Sequence, residues 1–521
     1  MKTLRWTAAA LALLSGAPLA AQQATAPPAA STSAEAIARF GPQLDSIFER
    51  FMRESHVPGL VYGIVAEGRL VYVQTMGSRV PNSREPNSRD AVTPDTLFRI
   101  ASMSKAFTAL AILKLRDEGR VSLDALAETY VPELHAWRYP TADSPRIRVR
   151  DLLNHASGFV DDNPWGDRQQ AMSETDFTRL IQSGVPFARA PGVSFEYSNL
   201  GYALLGRIVT NVSGMPYDQY IMREIMRPLG MTSTGYEVTD WPLERRALGY
   251  RFVDGAWEEE PTMRHGAFGA MGGVQTSARD YARWIAFLLS AWPARDDAET
   301  GPVRRASVRE MAHGSNFPQS EGRELPNGQT CHVASAYGMG LSAEQDCELG
   351  TILSHSGGYP GYGSYMMLLP DRGIGLFAFS NGTYAAPVPQ LVQAAAQLHR
   401  AGLIPPRPVP LSPALTNAYR TAGAIYAAGN LEPARQQLAM NFLMDRSADR
   451  WQRELARLKQ QVGACRTDAP IRPIHNLLGS FSWNCERGTL RGALMLAPTD
   501  PAGIQMLRFR VVPPPAPAPA Q

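Results

Sequence analysis

The chain of 521 residues is long for one domain and comfortable for two, and with 44% apolar residues it can bury at least one large core. Its formal charge of +3 arises from 51 Lys and Arg against 48 Asp and Glu, interleaved without basic runs, which argues against nucleic acid as a partner. Four cysteines without a Cys-x-x-Cys or His-x-x-x-His spacing offer no metal motif, so neither a metal nor another cofactor is expected.

The chain opens on Met1-Lys2-Thr3-Leu4-Arg5, an apolar run over 6–14 and Pro18-Leu19-Ala20-Ala21. This is the pattern of a signal peptide over 1–21, cut after Ala20 or Ala21. The run falls short of the roughly 20 residues that span a bilayer, and no cysteine follows the cut. An exported, periplasmic or secreted protein without stable membrane insertion is expected. Residues 22–33, rich in Ala, Pro, Ser and Thr, read as a disordered lead-in.

From Ala34 the apolar spacing of Ile37, Phe40, Leu44, Ile47, Phe48 and Phe51 predicts a helix. Runs 60–65 and 69–75 around Glu67-Gly68 predict a hairpin. A helical pattern starts at Ser102 and stops at Gly119, a second hairpin brackets Asp371-Arg372-Gly373, and 390–401 closes this region as a helix. Such an order predicts an α+β fold, an antiparallel sheet with helices on its faces and an inserted helical subdomain. The prolines of 404–413 predict a semi-rigid linker between a domain at 34–403 and a smaller one at 414–512. In the latter, helices are predicted at 416–428, 433–443 and 449–462 and strands at 481–485, 489–496 and 504–512, a helix-then-antiparallel-sheet unit. Residues 513–521 read as a disordered tail. In an oxidising compartment the two sequence-local cysteine pairs suggest disulfides Cys331–Cys347 and Cys465–Cys485, each worth roughly 3 kcal/mol by loop closure.

Three motifs carry chemistry. In Ser102-Met103-Ser104-Lys105 the hydroxyl and the amine share a helix face, a nucleophile beside a base. Alone this fits a capping serine and a solvated lysine, but the apolar stretch Ala106-Phe107-Thr108-Ala109-Leu110 points to burial. Tyr197-Ser198-Asn199 follows a Pro191-Gly192 turn and offers a phenol, which nearby cations would favour as phenolate, and an amide that both donates and accepts. His355-Ser356-Gly357-Gly358 sits on or just before a core strand, where glycines admit a substrate to the backbone. The N–H groups of Ser102 and Gly358 would form an oxyanion hole. Packing or turn roles are the alternatives for Tyr197, Asn199 and His355 taken singly. His475 and Trp483 read as structural.

Taken in this order, Ser-x-x-Lys, Tyr-x-Asn and His-x-Gly resemble the β-lactamase-related serine hydrolases, namely class C β-lactamases, D-alanyl-D-alanine carboxypeptidases, D-aminopeptidases and kindred esterases. The stretches Asp151-Leu152-Leu153-Asn154-His155-Ala156-Ser157-Gly158, Gly272-Gly273-Val274-Gln275-Thr276-Ser277 and Tyr337-Gly338-Met339-Gly340 look like the same family. The resemblance implies a β-lactamase/transpeptidase-like fold over roughly 34–403. It also implies attack by Ser102, proton relay by Lys105 and Tyr197 jointly with His355 as a further proton-handling partner, orientation by Asn199, and a place for His355 where class C β-lactamases usually carry lysine. Ser356, Gly357 and Asn163 are expected to border the substrate, and the acidic loop Asp161-Asp162-Asn163 to receive a substrate ammonium group. A mostly neutral histidine binds anions less well than a lysine, so a small peptide, amide or ester substrate is favoured, with D-amino-acid-containing or linear peptides foremost. A class C-type β-lactamase and a penicillin-binding sensor without turnover are the alternatives. An α/β-hydrolase is disfavoured by the lack of a Gly-x-Ser-x-Gly elbow.

Overall fold

The computed structural model of the protein describes residues 34–81, 89–316 and 319–512; the expected signal peptide, lead-in and tail therefore lie outside the described residues. The chain divides into two units, Met1–Pro406 and Arg407–Gln521.

In the first unit, Glu67 and Gly68 take left-handed φ values of 51° and 73° and turn strand Gly59–Ala66 into Arg69–Gly77. Gly59–Ala66 also pairs antiparallel with Ile374–Ser380, which continues through Tyr362–Leu369 and Gly350–Tyr359 to Ser342–Asp346, Thr330–Tyr337 and Gln319–Glu324. The result is an eight-stranded sheet. Alternation along its inner strands builds two cores. Val61, Val65, Met366, Leu368, Phe377 and Phe379 face one, while Leu60, Tyr62, Ile64, Met367, Leu369 and Leu376 face the other. The second core is closed by the helices Ala34–Phe40, Asp45–Glu54 and Val388–Arg400. The single helix expected from Ala34 is thus two helices, because Pro42 in the turn Gly41–Gln43 has no N–H to extend the ladder. The three strands between 319 and 346 gave no clear sequence signal, since segments such as Gln-Ser-Glu-Gly-Arg-Glu lack the apolar alternation of a half-buried strand.

The first core continues into the helical subdomain. There Lys105–Asp117 is buried along most of its length and packs beside Asn199–Ser213 and Ala278–Leu289, with Phe107 stacked on Trp284 at 3.9 Å. A helix enclosed in this way brings its polar side chains into a dry interior, which is the condition for the chemistry described below.

In the second unit, helices Pro413–Ala428 and Ala448–Val462 cover one face of a four-stranded antiparallel sheet, Arg472–His475, Leu478–Cys485, Gly488–Leu496 and Ile504–Val512. Trp483 is fully buried and its indole N–H donates to the Tyr419 hydroxyl at 2.7 Å, while His475 is exposed. The helix expected over 433–443 is instead a 3₁₀ turn at Glu432–Ala434 and one short helix, Phe442–Asp445. Cys331 is bonded to Cys347 and Cys465 to Cys485. Among the described residues no helix is long and apolar enough to cross a membrane.

Candidate active site

The site begins with a strained turn. Ala101 takes φ of +46°, rare for a residue with a Cβ, and leads into the 3₁₀ turn Ala101–Ser104 ahead of the helix Lys105–Asp117. Three residues per turn eclipse positions i and i+3, which sets Lys105 directly over Ser102. The lysine Nζ lies 3.1 Å from the Ser102 Oγ, 2.7 Å from the Asn199 Oδ1 and 3.0 Å from the Met271 carbonyl. Ser102 keeps 8% of its surface exposed and Lys105 none, so a substrate reaches the hydroxyl while the amine stays shielded from bulk solvent.

Desolvation lowers the Lys105 pKa to about 7, against the raising influence of Asp167, Asp162 and Asp161. A neutral amine has two N–H groups and one lone pair. The Asn199 Oδ1 and the Met271 carbonyl only accept, so they take both N–H groups and leave the lone pair facing the Ser102 hydroxyl.

Asn199 starts the helix Asn199–Ser213, whose cap is Ser198; the Asp162 carboxylate accepts the Asn199 N–H at 2.6 Å and the Leu200 N–H at 2.9 Å. Asp162 is therefore occupied as a helix anchor and is not free to receive an ammonium group, as the sequence had suggested for this loop; Asp161 remains exposed. The Asn199 side-chain amide donates to the Asn163 Oδ1 at 3.2 Å and to the Asp167 Oδ1 at 3.5 Å. Asp167 is buried, its pKa is raised by that burial, and it accepts the Tyr384 hydroxyl at 2.9 Å.

Tyr197 lies with its ring 4.8 Å from the Lys105 Nζ, and the Ser102 hydroxyl acts on its phenol, favouring the ionised form. Burial raises its pKa well above the ordinary value, more than the Ser102 contact lowers it. The phenol is thus protonated at neutral pH, which corrects the expectation of a phenolate: at this site desolvation outweighs the nearby amine. The tyrosine is held from both sides by His155, whose carbonyl accepts the Glu196 N–H at 2.9 Å and whose Nδ1 accepts the Ser198 N–H at 3.0 Å. The rings of His155 and Tyr197 are 4.3 Å apart.

His355 is buried on strand Gly350–Tyr359, its ring 6.3 Å from that of Tyr197. Its Nδ1 lies 2.5 Å from the Ser356 carbonyl, which only accepts, so the proton sits on Nδ1 and the Tyr337 hydroxyl donates to Nε2 at 2.9 Å. Burial, then Lys105, pushes its pKa down to about 3, so it carries no charge at neutral pH.

Strand Ser342–Asp346 pairs with this strand only as far as Ser354, which leaves the edge beyond without a strand on that side among the described residues. Gly357 faces the Ser102 turn so closely that a Cβ would lie 2.2 Å from the Ile100 carbonyl oxygen; the Ser364 hydroxyl donates to the same oxygen at 2.8 Å. Gly358 follows beside Tyr384, and the Ser356 side chain is exposed. Gly357→Ala should therefore destabilise the unit by about 2 kcal/mol and lower kcat more than it raises KM, measured by thermal unfolding and steady-state kinetics.

Ser102, Lys105, Tyr197, Asn199 and His355 thus converge, Gly357 and Gly358 flank the turn, and Asn163 joins through Asn199. Asp167, His155, Tyr337 and the Met271 carbonyl were not singled out from sequence as site groups. The stretches carrying His155 and Tyr337 were visible as motifs, whereas Asp167 has no local signature. Among the described residues one cluster has metal-ligand chemistry, Cys331, Asp346 and Cys347, but both sulfurs are spent in a disulfide and Asp346 accepts Arg323 at 2.8 Å.

The family model described as Beta-lactamase matches residues 44–400, so the chain belongs to the beta-lactamase family. Protein flp of Staphylococcus aureus (strain COL) is 29% identical over 357 residues, 67% of this chain and 65% of that protein, so the chain spans about two thirds of this relative's length. Among solved structures, the octameric penicillin-binding protein homologue from Pyrococcus abyssi superposes with a TM-score of 0.55 at 22% identity, covering 88% of this chain and 91% of that one. The beta-lactamase/D-alanine carboxypeptidase from Pseudomonas syringae gives a TM-score of 0.54 at 19% identity, covering 69% of this chain and 99% of that one. The superpositions show that the fold is shared.

Proposed function

We propose that the protein is a metal-independent serine hydrolase that cleaves amide or ester bonds through an acyl-enzyme on Ser102. The observation that carries this reading is the buried Lys105 amine, 3.1 Å from the Ser102 Oγ with its two other contacts to pure acceptors. Ser102 attacks the substrate carbonyl as Lys105 takes its proton. The N–H groups of Ser102 and Gly358 hold the resulting oxyanion, a stabilisation in which one donor is typically worth about a hundred- to a thousand-fold in rate. Tyr197, protonated, gives its proton to the leaving nitrogen or oxygen and is restored by the Lys105 ammonium. Water then attacks the ester, its proton passes to Lys105, and the Ser102 alkoxide leaves and is reprotonated. Every proton taken is returned, so the cycle needs no cofactor.

The uncharged His355 supports a substrate without a carboxylate at that position, hence peptides, amides or esters before β-lactams. A panel of D-aminoacyl amides, acyl-D-Ala-D-Ala peptides, linear peptides, short esters and nitrocefin tests this. Turnover of an amide or ester at a higher kcat/KM than nitrocefin is expected, and turnover of nitrocefin alone would make the protein a β-lactamase. Acylation by a penicillin with no turnover of any substrate would make it a sensor.

Because Lys105 works as the free amine, kcat/KM should rise with pH through about 7. Asp167 holds that pKa up, so Asp167→Asn should move the acid limb to lower pH; a limb that stays or moves upward contradicts the assignment of Lys105 as base.

A further inference from the structure

The second unit carries 14 Lys and Arg against seven Asp and Glu, a charge of +7 in a chain whose total is +3, and part of that excess is gathered on the sheet face opposite the helices. Arg472, Arg491, Arg508 and Arg510 are all exposed there, around a concavity of about 790 Å³ floored by Ser480, Gly492 and Ala493. The register makes Arg491 and Arg510 direct cross-strand partners, and places Arg508 opposite Ala493 and Arg472 opposite Ser480. Directly opposed residues have Cβ atoms about 5 Å apart, and like charges so placed are destabilising. None of the four guanidinium groups has an ion-pair or hydrogen-bond partner among the described residues, although arginines elsewhere in the unit do, as Arg457 does with Glu454 and Arg466 with Asp468.

Four arginines around a hollow, without partners among the described residues and with two of them directly opposed, call for an anion from outside. We infer that this face is a binding site for a soluble ligand carrying two or more adjacent phosphate groups. All four cations are arginines, whose planar forks grip phosphate oxygens in pairs, and a single carboxylate would satisfy one fork and leave three. The small residues between them leave the oxygens room to approach the sheet. Cations, serines and small residues line the hollow, and the two aromatic rings that border it, Phe481 and Phe509, are buried and half-buried, so no aromatic or leucine side chain stands out to enter a lipid layer and a free oligophosphate fits better than a membrane surface.

Titration calorimetry of the full chain with inorganic tripolyphosphate tests the site. Saturable binding is expected that weakens at least tenfold in Arg491→Gln/Arg510→Gln and weakens with added salt, while hydrolysis of a short ester stays at the wild-type rate. Arg510→Gln without ligand should unfold at a higher temperature than wild type, because a like-charge neighbour is gone. Lack of binding, binding unchanged in the double variant, citrate binding as tightly as tripolyphosphate, or binding only to phosphatidylglycerol vesicles would each overturn the inference. These outcomes are independent of those that test Ser102.

Discussion

Lys105→Met should lower kcat about a thousandfold while leaving KM within a few-fold of wild type. Methionine fills nearly the same volume, so the loss is that of the proton acceptor, and a positioned general base is worth roughly a hundred- to ten-thousandfold. The substitution also leaves the Asn199 Oδ1 and the Met271 carbonyl without the amine donor, each costing about 1–3 kcal/mol of stability. Circular dichroism and single-turnover kinetics separate the two effects. A folded Lys105→Met enzyme with kcat within tenfold of wild type contradicts the scheme, because no other neutral amine lies beside Ser102 among the described residues.

The second large effect belongs to the nucleophile. Ser102→Ala should reduce kcat/KM by about 10⁴-fold or more, the scale seen when a covalent route is removed and only binding and oxyanion contacts remain. Substrate affinity should survive, since the variant keeps the backbone turn and the pocket. Equilibrium binding of an uncleaved substrate to Ser102→Ala checks the second half of this expectation.

Much of this site could be read from the chain because its chemistry is local in sequence. Ser102 and Lys105 fall one turn apart, Tyr197 and Asn199 are two residues apart, and the glycines beside His355 mark where another backbone comes close. The hairpins were legible for a similar reason, as Glu67-Gly68 and Asp371-Arg372-Gly373 punctuate strongly apolar runs. What escaped was set by tertiary packing. Asp167 matters because folding buries it near the amine and under the Tyr384 hydroxyl, 217 residues further along, which no local pattern encodes. His155 acts through its backbone carbonyl and one ring nitrogen on either side of Tyr197, a relation that exists only after the helical subdomain closes. The charge state of Tyr197 failed in the same way: sequence shows the neighbouring cation but not the depth of burial, and burial decided the outcome. The polar strands between 319 and 346 are held in place by pairing with their neighbours, and their own residues announce little.

Intact-mass analysis after exposure to a fluorophosphonate and to a penicillin, followed by peptide mapping, addresses the central claim most directly. One adduct is expected on the peptide containing Ser102, formed faster as pH rises through about 7 and missing in Ser102→Ala. An adduct that persists in Ser102→Ala, or maps to another serine, would contradict the account.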